Sequence, residues 1–177
     1  MTDRTIYLSP WRIDVTIWDG IDPVIGVSRL ARAMAAALDA AEAPSPGSIG
    51  LILADDAELA ELNRTHLGGD GPTDVLSFPL LPAGSFPASS SPDAAVPAFA
   101  TPSGRRLHLG DVVVSVERAA DQAAAGRGGQ TGDVRWSIAD ELLLLVTHGA
   151  LHVCGYDHAA PAEEAAMRAL ERQLLAG

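Results

Sequence analysis

The chain has 177 residues, a length suited to one domain with room for an insertion. Its twelve basic residues, all Arg, stand against twenty-three acidic ones, and the formal net charge of −11 argues against a generally basic surface gripping nucleic acid while leaving room for a local basic groove. A single cysteine excludes an internal disulfide framework and a Cys-rich zinc finger, the longest apolar run (Leu142 to Val146) is far too short to cross a bilayer, and the start Met1-Thr2-Asp3-Arg4 lacks a secretory pattern, so a cytoplasmic domain is expected.

In chain order, Ile13, Val15 and Ile17 alternate with polar residues and predict a half-buried strand ended by Asp19-Gly20. Residues 24–42 carry Val27, Leu30, Met34 and Leu38 at helical spacing, and Pro44 and Pro46 close the segment. Ser48 to Leu53 predicts a more buried strand. Asp55 or Asp56 then caps a helix running to about Thr65, with Leu59 and Leu62 facing inward. Gly68 to Pro72 is a loop, and Asp74 to Phe78 a short strand stopped by Pro79.

Residues 82–107 differ in kind. Prolines recur among Ser and Ala, few side chains could build a core, and the stretch exceeds an ordinary connection, so it reads as a low-complexity insertion. Leu109 to Val116 predicts a buried strand with Asp111 near its start. Glu117 to Ala125 suits a helix ended by Gly126, and Arg127 to Gly132 a loop.

The last third is the clearest. Ser137 and Asp140 approximate a capping box, and Leu142 to Cys154 is apolar nearly all round, which predicts a helix inside the fold. Gly155 stops it. Pro161 starts a final helix with Glu163 and Glu164 at its positive end and Met167, Leu170 and Leu174 as its inner stripe. The whole reads as α+β, a small mixed β-sheet packed with helices in one domain over residues 1–177.

Three of the five histidines fall within eleven residues: His148, His152 and His158. A spacing of four on the buried helix sends His148 and His152 from one face about a turn apart, as two ligands of one ion require. His158, just past the Gly155 stop, can fold back toward the same point. Three neutral imidazoles suit Zn²⁺ or another borderline first-row metal and leave one position open, the mark of a catalytic site. Unpartnered, three buried imidazoles would be costly. A metalloprotease helix would need Glu after the first histidine, but Gly149 stands there, explained by close packing of another backbone or by room for substrate.

The segment His148-Gly149-Ala150-Leu151-His152-Val153-Cys154-Gly155-Tyr156-Asp157-His158 resembles the His-Gly-x-Leu-His-x-x-Gly-x-Asp-His signature of the YbeY family of bacterial endoribonucleases and rRNA maturation factors. Two further stretches agree. Leu62-Asn63 with Gly68, Asp70 and Pro72-Thr73-Asp74-Val75-Leu76-Ser77-Phe78-Pro79 resembles the family's central segment, and Leu109-Gly110-Asp111-Val112-Val113 its later strand. The resemblance covers roughly residues 13–175 apart from the insertion. It implies a compact α+β fold with one zinc ion on the three histidines. It also implies zinc-dependent, single-strand-specific cleavage of RNA in maturation of the small-subunit rRNA 3′ end and in ribosome quality control, with rRNA, the small subunit and assembly factors as partners and neither DNA nor membrane.

One loop departs from the family pattern. Leu67 stands where the family has an arginine thought to act in catalysis, and Gly69 and Gly71 where it has lysines. Such an arginine stabilises charge developing near the scissile phosphate. Arg64, three residues upstream, and Arg105 and Arg106, at the end of the insertion, are the available substitutes; Asp111 is the other catalytic candidate, or a strand-end structural carboxylate. Asp157 either orients an imidazole or makes the turn after Gly155. Cys154 points to another helix face and reads as a small buried hydrophobe. His66 reads as a loop residue, and His108 has no partner visible in the sequence. Thr73 and Ser77 have phosphate contact or ordinary turn and strand roles open to them. The alternatives to an RNA-cleaving enzyme are a ribosome assembly factor with a mainly structural zinc and a metal-dependent hydrolase of another substrate.

Overall fold

Five strands form one mixed sheet in the order β1-β2-β3-β5-β4 in the computed structural model, which describes residues 1–82, 85–86, 105–126, 137–157 and 160–176. β1 (Thr2–Leu8) and β2 (Trp11–Ile17) make an antiparallel hairpin at one edge. β3 (Gly47–Ala54) runs parallel to β2, and β5 (Leu107–Ser115) parallel to β3. β4 (Val75–Pro79) closes the other edge antiparallel to β5. The parallel β2–β3 step needs a crossover, and α1 (Val27–Ala40) supplies it. Its Leu30, Met34 and Leu38 are 0% exposed, the face expected from their spacing.

On the same face of the sheet lies α4 (Ile138–Val153), against α1, α3 (Val116–Ala124), β4 and β5, and α5 (Pro161–Leu175) packs over α1 and α4. Leu142, Val146, Ala150, Leu151 and Val153 of α4 are all 0% exposed, so the helix is buried around most of its circumference. The other face carries a small cluster of Ala54, Leu59, Leu76 and Val113 under α2 (Asp56–Leu62). The mixed sheet and the packed helices agree with the α+β reading.

Three features depart from the sequence reading. β1 was not expected: only Ile6 and Leu8 of its seven residues pack against the core, and the rest of the strand faces solvent. α2, capped by Asp55, whose carboxylate accepts from the Glu58 N–H at 2.9 Å, stops at Leu62, and the chain continues as a π-helical turn over Asn63–Leu67 rather than as α-helix to Thr65. Within the expected insertion, Phe86 is fully buried in the main core, and β5 takes Leu107 as its first residue. Burying a phenylalanine stabilises by about 1.5–3 kcal/mol, so the insertion anchors to the core at this point. Residues 83–84, 87–104 and 127–136, with the remainder of that insertion and the expected 127–132 loop, lie outside the described residues.

Candidate metal centre and pocket

The site is built from the middle and end of α4. Ser137 and Asp140 form the expected capping box: the Asp140 N–H donates to Ser137 Oγ at 3.2 Å and the Ser137 N–H to Asp140 Oδ2 at 3.0 Å. The Ser137 N–H, and with it the Ser137 hydroxyl donating to the same Oδ2 at 2.7 Å, hold the Asp140 carboxyl below its ordinary range, and the box fixes where the helix starts. From that start, His148 and His152 emerge from one face. Their rings meet edge to face, with centroids 4.5 Å apart, and their Nε2 atoms converge to 3.0 Å. Two nitrogens bound to one tetrahedral zinc at ~2.1 Å each would stand roughly 3.4 Å apart, so a few tenths of an ångström of opening admits the ion. Two soft-borderline nitrogen donors aimed at one point are the chemistry a zinc or similar first-row ion needs.

At the helix end Gly155 takes φ 81°, a left-handed conformation that favours glycine, and its N–H donates to His152 O at 3.0 Å while the Tyr156 N–H returns to Leu151 O at 3.1 Å. The chain thereby doubles back, and Gly155, Tyr156 and Asp157 line the same cavity as the two histidines. His158, the third expected ligand, lies outside the described residues. Among the described residues no three His, Cys, Asp or Glu side chains assemble into a metal-binding group.

The cavity measures about 530 Å³, and Val75 and Ser77 of β4 line it as well, together with Leu67, Thr73 and Leu81. Leu67 is 65% exposed there. No arginine is among the described lining residues, whereas Asp74 and Asp157 are. Arg64 instead makes an exposed ion pair with Glu61 at 2.5 Å. Arg105 is exposed and does not line the cavity. Arg106 lies over the Tyr7 ring, 5.9 Å from its centroid, and donates to Pro10 O, at the opposite edge of the sheet. Ser77 Oγ donates to Gly149 O at 3.0 Å and Thr73 Oγ1 to Asp74 Oδ1 at 3.2 Å, so both hydroxyl protons are engaged within the protein.

Asp111 is not brought to the histidines. It pairs across the sheet with Gly50, on the face turned away from α4, and its Oδ1 accepts from His108 Nε2 at 3.2 Å, while His108 Nδ1 meets Ser48 Oγ at 3.1 Å. That gives His108 the partners the sequence did not reveal. Ser48 is only 1% exposed, which makes the Ser48–His108–Asp111 chain a structural tie between β3 and β5. His66 stands edge-on to Phe78, centroids 5.4 Å apart. Cys154 is 0% exposed and burial pushes its thiol up to about 12, so in this surrounding it stays a protonated, small buried side chain.

Gly149 has a different reason from either expected one. It sits against side chains of the sheet: a Cβ added there would lie 2.5 Å from Val112 Cγ1 and 3.0 Å from Val75 Cγ2. Gly149→Ala is therefore expected to destabilise by about 1–3 kcal/mol through overpacking, even though alanine is the better helix former by up to ~1 kcal/mol. Urea unfolding checks it; a variant as stable as wild type would mean that the two valines yield without strain.

Sequence reasoning missed one residue that touches the pair. Glu171 of α5 is 2% exposed and its Oε1 lies 2.6 Å from His148 Nδ1. The available signal was its place beside Leu170 and one turn after Met167, a carboxylate on an otherwise apolar stripe.

Comparison with known proteins follows the same lines. A family model described as Endoribonuclease YbeY matches residues 25–177. The Endoribonuclease YbeY of Moorella thermoacetica is 42% identical over 151 residues, covering 85% of this chain and 85% of its own. That of Salinispora tropica is 42% identical over 159 residues, covering 88% of this chain and 85% of its own. That of a Roseiflexus species is 34% identical over 164 residues, covering 92% and 90%. The solution structure of a Thermotoga maritima protein superposes with a TM-score of 0.50 at 22% identity, over 93% of this chain and 86% of that one, a likeness of fold alone.

Proposed function

This chain belongs to the YbeY endoribonuclease family, and from that membership we propose a zinc-dependent, single-strand-specific cleavage of RNA in the pocket bordered by His148 and His152. The observation that carries the reading is the convergence of the two Nε2 atoms to 3.0 Å at the edge of a cavity. His148, His152 and His158 are the ligands proposed to hold the ion. When bound, zinc supplies Lewis-acid stabilisation of charge developing on the phosphoryl group.

The protein's own residues account for the rest. With Asp74 and Asp157 among the described lining and no arginine there, the side chains described repel a phosphodiester unless the cation is present. The ion is thus proposed to set substrate affinity as well as rate. Leu67, Leu81 and Tyr156 offer apolar and aromatic surface on which an unstacked base can rest, as single strands allow and duplexes do not. Maturation of the small-subunit rRNA 3′ end, ribosome quality control and a cytoplasmic location belong to this proposal through the family resemblance; no helix of the described residues is long and apolar enough to cross a membrane.

The experiment is metal analysis by mass spectrometry paired with cleavage of one RNA oligonucleotide, single-stranded and annealed. Near-stoichiometric zinc is expected, with cleavage of the single strand lost on chelation and restored by zinc. Salt dependence would count phosphate contacts at ~0.7 of log–log slope each. Equal cleavage by the chelated protein would sink the proposal. The lack of arginine in the described lining favours one second reading, an assembly factor with a structural zinc. It predicts small-subunit association that survives without any hydrolysis.

A further inference from the structure

α5 reaches the site through one buried acid. Met167, 1% exposed, and Glu171, 2% exposed, are four residues apart on the face that α5 presents to the core. A carboxylate withdrawn this far from water is costly unless hydrogen-bonded. The Glu171 carboxylate has His148 Nδ1 at 2.6 Å, a distance typical of a charge-assisted bond.

The direction of that bond has a consequence for the pair. An ionised carboxylate only accepts, so the hydrogen resides on His148 Nδ1. In the neutral ring Nε2 then carries the lone pair, and Nε2 is the atom facing His152 Nε2 at 3.0 Å. With His148 accepting, the proton between the two rings belongs to His152. His148 is thus held, in the metal-free protein, in the one tautomer that presents a donor pair to an incoming cation.

We propose that Glu171 is the positioning residue of the histidine pair: from α5 it fixes the ring orientation and tautomer of His148, and so sets the affinity of the site for its metal. This rests on the zinc reading above. Glu171 takes no part in the cleavage itself, since it lies behind the ring and does not line the cavity. Its contribution is to hold the ring in place and to exclude the other tautomer, and loss of such an outer partner weakens metal binding by roughly 10–100-fold.

The test uses the full chain with Glu171→Leu and Glu171→Gln. Zinc affinity is measured by competition with a chromophoric chelator, the His148 tautomer by ¹⁵N imidazole shifts of the metal-free protein, and melting of the metal-free protein alongside. For Glu171→Leu the expected results are a roughly 10–100-fold weaker zinc affinity, loss of the Nδ1–H signature, and a melting temperature at or above wild type, because a buried acid gives way to an apolar side chain of similar size. Glu171→Gln, whose amide oxygen still accepts from Nδ1–H, is expected to keep the tautomer and stay within about tenfold in affinity. A merely structural Glu171 would show the reverse: lower melting and unchanged affinity in Glu171→Leu. That result, or an unchanged tautomer, overturns the inference while leaving the zinc reading intact. A wild type that takes up no zinc under the same titration overturns the zinc reading and the affinity claim with it; the tautomer signal still reports separately on orientation.

Discussion

His148→Ala is expected to abolish zinc uptake and to lower RNA cleavage at least 100-fold. One of the two convergent nitrogens disappears, and of the three proposed ligands only His152 and His158 are left, too few to hold the ion tightly. The same substitution also takes the imidazole away from Glu171, a 2.6 Å bond to a carboxylate only 2% exposed. Hydrogen bonds to charged groups contribute about 1.5–3 kcal/mol, so the metal-free variant should be less stable by that amount. His152→Ala separates the two effects. It removes the other Nε2 donor but leaves the His148–Glu171 bond in place, and is expected to lose zinc and activity with metal-free stability within about 1 kcal/mol of wild type. Mass spectrometry, an oligonucleotide cleavage assay and chemical unfolding read the three quantities. Retained zinc in both variants would remove the histidine pair from the metal site.

The second large effect is on stability and depends on pH. Glu141, in the first turn of α4, is 3% exposed, and one of its carboxylate oxygens, Oε2, has no hydrogen-bond partner among the described residues. Burial, and after it the charge of Asp74, lift its pKa from 4.5 to about 7. The folded state therefore holds this proton where the unfolded chain has released it. Below pH 4.5 both states are protonated and there is no penalty. As pH rises from 4.5 to about 7 the folded state binds more protons than the unfolded one, so stability falls, and above about 7 the loss is complete. At 1.36 kcal/mol per pH unit the total is roughly 3 kcal/mol. Glu141→Gln is expected to match wild type near pH 4 and to exceed it by up to roughly that amount at pH 8. Urea unfolding of both proteins from pH 4 to 8 gives the difference directly, and the other carboxylates cancel in it. Parallel curves across the range would show that Glu141 titrates normally.

Much of the architecture was legible because burial leaves a periodic trace. α1 and α5 show their stripes, α4 its nearly continuous apolar run and its Ser137 cap, and β3 its unbroken Ile49-Gly50-Leu51-Ile52-Leu53. β1 was not legible, since an edge strand with most of its residues in solvent has little apolar pattern to display. The face of Asp111 was hidden for a different reason. β3 and β5 shift register between Ser48 and Gly50, and Leu109 and Val112, three apart, both reach the main core. A simple alternation counted along β5 therefore fails at that bulge. At the site, the spacing of His148 and His152 was enough to place them together, because four residues of helix is a local rule. Glu171 comes from another helix, twenty-three residues on, and its meeting with His148 is set by the packing of α5 on α4.

The pocket has two sides of unequal evolutionary cost. Its floor rises from α4, where Ala150, Leu151 and Val153 are fully enclosed and Gly149 leaves no room for a methyl group. Its rim at Leu67 stands 65% in solvent on a π-helical turn, where an exchange of side chain is expected to change stability by no more than about 0.5 kcal/mol. Mutations at the rim are thus nearly invisible to selection on folding, and those at the floor are not. A change of charge at the rim, Leu67→Arg for one, can therefore alter what the pocket mouth attracts while the fold and the histidine pair beneath it stay as they are.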